Sequence, residues 1–264
     1  MRFPYLDHPR PLAFAHRGGA IGAPENTMRA FERTARLGFA YIETDVHATA
    51  DGELVVFHDD TLDRLTDLRG PVSALPYREV AKARVLGTEP LPLLEDVLAA
   101  WPGVRFNIDV KEAAAIAPFA RALDRTGARE RVCVASFSQG RLRQVRAALG
   151  PGVCTSLTRS GVAALKITSL FASLAPLARF TAGCVQVPPF YGAVAVITPS
   201  LLRAAHAHGM QVHAWTIDDP VEMRRLLDLG VDGIMTDDPA ALRDVLIERG
   251  QWHPRTIDAG EPAP

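Results

Sequence analysis

Short apolar runs recur along the chain, separated by segments whose apolar residues fall at helical spacing. The runs Leu12–Ala15, Ala40–Val46, Arg105–Val110, Arg131–Ser136, Val153–Leu157, Cys184–Val187, Gln211–Thr216 and Gly233–Thr236 read as eight strands. Several are apolar throughout rather than alternating, which suits a parallel sheet covered on its outer face. Helical patterns start near Asn26, Leu93, Ala113, Ser138, Gly161, Thr198, Pro220 and Pro239, with sets such as Met28/Phe31/Ala35 and Val221/Leu226/Leu227 on one face. Eight strand–helix units predict an α/β architecture, a (β/α)8 barrel, for which 264 residues is an ordinary length. Periodicity alone leaves a doubly wound open sheet as the alternative.

Residues 47–104 break the alternation. They hold a short strand, Leu54–His58, a turn-rich middle and a helix near Leu93–Ala100, and read as a small insertion on the barrel rim after the second strand. Residues 1–250 then form a single barrel domain, and 251–264 a flexible C-terminal tail. Hydrophobic residues make up 48% of the chain, enough for a substantial core, and the net charge is −1. No basic stripe or zinc-finger spacing occurs, so a nucleic-acid partner is not expected. Cys133, Cys154 and Cys184 each sit in an apolar run and read as buried free thiols in a reducing compartment. The N-terminus lacks the apolar core of a signal peptide. Of the two longest charge-free stretches, 167–178 is too short to span a bilayer and 180–202 carries Pro188, Pro189 and Pro199. A protein of the cytoplasm without a transmembrane segment is expected.

Polar residues concentrate at the strand ends. The first strand runs into His16-Arg17-Gly18-Gly19, the second holds Glu43 and Asp45, the third leads through Asp109 to Lys111, and the seventh ends at Trp215. In a parallel barrel the C-terminal strand ends build the active site. Glu43 and Asp45 are two apart, so they leave the strand on one face, roughly 6–7 Å from each other. Two such charges repel unless neutralised, either by Arg or Lys partners or by a divalent cation with oxygen ligands, Mg²⁺ or Ca²⁺. Asp109 on the next strand would complete a ligand set. His58 closes the insertion strand. It belongs either to a surface turn or to an acid–base couple with His16, and spacing alone does not decide. His8, His47, His206, His208, His213 and His253 lack a comparable constellation and read as structural or surface residues. Gly18 and Gly19 permit close backbone approach to a ligand but form no GxGxxG or P-loop, so no nucleotide site follows.

These residues resemble the glycerophosphodiester phosphodiesterase family. The matching motifs are "AHRGG" followed by "PENT", then "ETDVHATADGELVVFHDDTLDRLT", "IDVK", "AWTID" and "GVDGIMTDDP", in the family's order over roughly residues 12–240. The resemblance implies a TIM barrel with a small insertion after the second strand. It implies His16 and His58 as the catalytic pair, Glu43, Asp45 and Asp109 as ligands of a divalent metal ion, Arg17 and Lys111 as phosphate-holding cations, and Trp215 as a pocket residue. Two departures stand out. Asp109 takes a place where many members have Glu, and the glycine that closely follows Arg64–Thr66 in many members is delayed to Gly70.

The implied reaction is metal-dependent hydrolysis of small glycerophosphodiesters to sn-glycerol 3-phosphate and an alcohol. The neighbouring glycerol hydroxyl attacks first, and water then opens the cyclic phosphate. A lysophospholipase D-type hydrolase is the alternative, with "SLFASLAPLARF" at 169–180 as an apolar surface for an acyl chain, although a buried barrel helix explains that stretch more simply. A non-catalytic phosphate-binding barrel is the third reading. The presence of both histidines and all three carboxylates argues against it.

Overall fold

A computed structural model of the chain describes residues 3–170 and 179–255. Its central sheet contains β1 (Leu12–Ala15), β2 (Tyr41–Ala48), β3 (Arg105–Val110), β4 (Val132–Ala135), β5 (Cys154–Thr155), β6 (Cys184–Val187), β7 (Gln211–Ala214) and β8 (Gly233–Thr236). All seven pairings among them are parallel, in the order β5-β4-β3-β2-β1-β8-β7-β6. The two end strands meet at one parallel bridge, Ser156 to Cys184. That bridge turns the sheet into a ring, so the barrel holds and the open sheet does not.

The helices start where the sequence supplies a cap. Thr27, Ser138, Thr198, Asp219 and Asp238 each accept a hydrogen bond from an amide of the first turn, and Pro199, Pro220 and Pro239 occupy the first turn, where no amide partner is needed. Two apolar layers lie between strands and helices. A third fills the N-terminal end of the barrel interior with Phe14, Tyr41, Met235 and the three cysteines, and Phe3, Tyr5 and Leu6 join the same cluster. Cys133, Cys154 and Cys184 are free and buried.

The insertion has a core of its own, including Val55, Phe57, Leu62, Val72, Val80 and Val85. Its strand is shorter than expected, Leu54–Val56, and pairs antiparallel with the end of β2, Val46 opposite Val56. Of the C-terminal tail, residues 251–255 are described: Trp252 packs on Phe39 at 5.1 Å and the Arg255 amide donates to the Gly38 carbonyl at 2.9 Å. An indole covering an apolar ring holds residues 251–255 down. The apolar stretch 169–180 falls largely outside the described residues. Among the described residues, no helix is long and apolar enough to cross a membrane.

His213 on β7 is fully buried, with Nε2 3.0 Å from the Gln211 side-chain oxygen. Burial pushes its pKa down to about 4, against the smaller opposing pull of Asp232. The unfolded chain therefore binds the proton first as pH falls. This neutral imidazole contributes stability above pH ~6.5 that is lost as pH drops toward 4, at most about 3 kcal/mol. Denaturant unfolding across that window should show the loss in the parent, and a flatter pH dependence in His213→Gln.

Candidate active site

β1 ends in a 3-10 turn, His16–Gly18, in which Arg17, Gly18 and Gly19 all take positive φ (51°, 78° and 87°). The chain turns back so tightly that a Cβ at Gly18 would lie 2.6 Å from a Phe31 ring carbon. Glycine is required there, and the turn projects His16 and Arg17 over the barrel mouth. β2 and β3 run in register, with Asp45 opposite Asp109 and Glu43 opposite Asn107. The insertion strand paired to β2 carries the chain to His58. As a result His16, Arg17, Glu43, Asp45, His58, Asp109, Lys111 and Trp215 all line one cavity of about 540 Å³. His58 is a mouth residue, a placement that local spacing left open.

The charges interlock. The Lys111 ammonium lies 2.7 Å from Asp45 and 2.9 Å from Asp109. Burial opposes its charge, but the two carboxylates outweigh burial and raise its pKa. Burial likewise opposes ionisation of Asp45, and Lys111 outweighs it, so Asp45 is held below the usual carboxylate range. Asp109 moves the other way, raised by burial and then by the charge of Asp45 against the pull of Lys111. Glu43 accepts the Arg17 amide at 3.1 Å, and its pKa is pushed up to about 7, first by burial and then by Asp45.

Both histidines are held by carboxylates. His16 Nδ1 lies 2.8 Å from Asp237, and His58 Nδ1 lies 2.7 Å from Asp59. Each contact assigns the Nδ1 proton and leaves Nε2 for chemistry; Nε2 of His16 is 3.7 Å from Glu43. Burial works against a charged His16, but Glu43 and Asp237 outweigh it and raise its pKa. Asp59 in turn binds Arg64 at 2.5 Å, Arg64 reaches Glu25 at 2.8 Å, and Glu25 takes the Arg17 guanidinium at 2.9 Å. One chain of ion pairs thus links the insertion to the β1 turn.

The oxygens of Glu43, Asp45 and Asp109 suit a hard divalent cation in their chemistry. Two observations of the site agree with one: Asp109 Oδ1 is buried without a hydrogen-bond partner, and Glu43 is pushed toward its neutral form. Lys111 already takes the place between Asp45 and Asp109, so both outcomes weighed for the carboxylate pair, cation partners and a metal, have support here.

Asp237, Asp59, Arg64, Glu25 and Asn26 were not picked out as site residues in the sequence. All five lie inside the motifs "PENT", "HDDTLDRLT" and "MTDDP", but only the folded geometry gives them roles. Asn26 donates to Asp45 Oδ2 at 3.1 Å and accepts from Thr44 at 2.7 Å, from a left-handed backbone at φ 57°.

The Glycerophosphoryl diester phosphodiesterase family matches residues 16–241. The chain belongs to this family. It is an enzyme of the phosphodiesterase class, and the match covers every residue of the site. A Mycobacterium tuberculosis relative named "Probable glycerophosphodiester phosphodiesterase 2" is 44% identical over 251 residues, covering 94% of this chain and 95% of the relative. A Caldanaerobacter subterraneus glycerophosphodiester phosphodiesterase is 32% identical over 91% of this chain and all of its own length. The solved structure of an Oleispira antarctica phosphodiesterase in complex with the product sn-glycerol-3-phosphate superposes with a TM-score of 0.74 at 24% identity, covering 90% of this chain and 97% of that one. At that identity the last likeness is one of fold.

Asn26 gives a test of how the family's site is supported. Asn26→Gly removes both hydrogen bonds and should cost about 2 kcal/mol. Asn26→Ala should cost about 1 kcal/mol more, because alanine is strained at positive φ. Thermal unfolding of the pair checks the order; variants as stable as the parent would contradict it.

Proposed function

We propose that the chain hydrolyses glycerophosphodiesters to sn-glycerol 3-phosphate and an alcohol, with His16 and His58 as an acid–base pair. The observation that carries this reading is one cavity holding two imidazoles, each tied through Nδ1 to its own carboxylate, beside Arg17, Lys111 and three buried carboxylates. The names of the two relatives give the same substrate class.

A phosphodiester is an anion, and its transition state spreads charge over the phosphoryl oxygens, so positioning and charge stabilisation dominate its cleavage. Arg17 offers a planar fork for two of those oxygens and Lys111 a point charge. Glu43, Asp45 and Asp109 are the residues that would hold a divalent ion, Mg²⁺ or Ca²⁺, whose chemistry when bound is to polarise phosphoryl oxygen. The glycerol hydroxyl beside the ester carbon is the first nucleophile. One imidazole takes its proton while the other protonates the departing alcohol oxygen. Water then opens the cyclic phosphate with the same two groups returned to their starting states. Trp215 lines the substrate side, edge-to-face with Phe137 at 6.0 Å.

A second reading places a lysophospholipid at the same site. The wall supplied by Leu157, Val162, Val187, Pro188 and Val196 is apolar, and Phe190, Tyr191 and Val194 stay exposed nearby. A panel of glycerophosphodiesters and lysophospholipids separates the two.

His16→Ala and His58→Ala should each lower kcat on the preferred diester by about 10²-fold or more, the range for a lost general acid or base. Circular dichroism should show the fold retained. A folded variant with near-normal kcat would make that histidine structural.

A further inference from the structure

The loops after β4, β5 and β6 build the part of the cavity away from the histidines. Among its lining residues between Ala135 and Val196, the charged ones are Arg159 and Lys166, both cations. The sequence behind this wall is strongly biased. From Arg131 to Ile217 the chain carries eight Lys and Arg residues and no Asp or Glu, although the whole chain has a net charge of −1. No carboxylate of this long stretch is available to neutralise either cation.

Each cation is held in place by neutral groups. The Lys166 ammonium donates to the Ala195 carbonyl at 2.9 Å, the Val196 carbonyl at 3.1 Å and the Thr198 hydroxyl at 3.2 Å. The Arg159 guanidinium lies 4.8 Å over the ring of Phe137. Among the described residues neither forms an ion pair. Arg141 adds a third positive charge beside this wall, donating to the Val110 carbonyl and the Ser136 hydroxyl.

The glycerol half of a glycerophosphodiester is neutral, so a charged wall discriminates through the alcohol half. We propose that Arg159 and Lys166 select diesters whose alcohol carries an acidic group, a carboxylate or a second phosphate, over those whose alcohol carries an ammonium. This deepens the hydrolase reading and rests on it. The aromatic residues Phe137, Tyr191 and Trp215 would by themselves suit a quaternary ammonium head group. The face of Phe137 is already taken by the chain's own guanidinium, and a second cation brought there is repelled. The wall thus combines attraction for one class of alcohol with a built-in penalty for the other.

Glycerophosphoserine and glycerophosphoethanolamine differ by a single carboxylate, which makes them the direct probes. The ratio of their kcat/KM values should favour the serine diester by about five- to tenfold at low salt, as expected for one added charge near two partly solvated cations. The ratio should shrink as NaCl is raised. Arg159→Gln should bring it close to one and Arg159→Glu should reverse it. Arg159 is exposed, so both variants should keep the parent's thermal midpoint. A parent ratio of one or below, or a ratio that the Arg159 variants leave unchanged, overturns the proposal. Equal turnover of the two diesters rejects charge selection alone. Turnover of neither, by a folded protein, rejects the hydrolase reading beneath it.

Discussion

The Lys111 ammonium stands between Asp45 and Asp109, 2.7 and 2.9 Å away, where β2 and β3 run in register at the barrel mouth. Burying like charges is costly unless each has a partner. Here Lys111 answers two carboxylates, the Arg17 guanidinium lies 3.7 Å from Asp45 as a second cation, and a third carboxylate, Glu43, has the Arg17 amide and the more distant His16 ring. Two cationic side chains, Lys111 and Arg17, thus stand among three buried carboxylates. Burial first, and then the neighbouring charge of Asp45, raises the pKa of Glu43, while one oxygen of Asp109 is left buried without a hydrogen-bond partner.

The surrounding structure serves to fix that arrangement. Asn26 spends a left-handed backbone position to hold Asp45 from the side opposite Lys111. Asp237 after β8 orients the His16 ring across the seam with β1. The insertion carries its own apolar core, so it presents His58 and Asp59 from a packed support rather than from a free loop, and Arg64 ties it back through Glu25 to Arg17. Arg17 and the His58–Asp59 pair are thereby joined by one ion-pair network spanning two parts of the chain.

Much of this was legible in the residues. A parallel barrel puts its chemistry at the C-terminal halves of its strands, so His16 stands out just after an apolar run, and Glu43, Asp45 and Asp109 as charges within otherwise largely apolar strands. The period of two puts Glu43 and Asp45 on one face. The position of His58 was not legible locally, because it depends on an antiparallel pairing between the insertion and the end of β2. Strand β5 shrinks to Cys154–Thr155 although the apolar run is longer, since only a short stretch finds partners where the ring closes. The docking of Trp252 on Phe39 joins residues more than two hundred positions apart, beyond the reach of any local pattern. The cationic bias from Arg131 to Ile217 is visible in the sequence, but its meaning emerges only when the fold brings Arg159 and Lys166 to the cavity.

The central proposal is that a divalent cation binds at the barrel mouth on Glu43, Asp45 and Asp109. Calorimetric titration of the metal-free chain with Mg²⁺ or Ca²⁺ near pH 7, repeated in buffers of different ionisation enthalpy, tests it directly. With the Glu43 pKa at about 7, binding should displace a fraction of a proton. The account predicts one ion per chain, proton release on binding, and loss of both in Glu43→Gln. No binding of either ion, or binding that Glu43→Gln leaves unchanged, would contradict it.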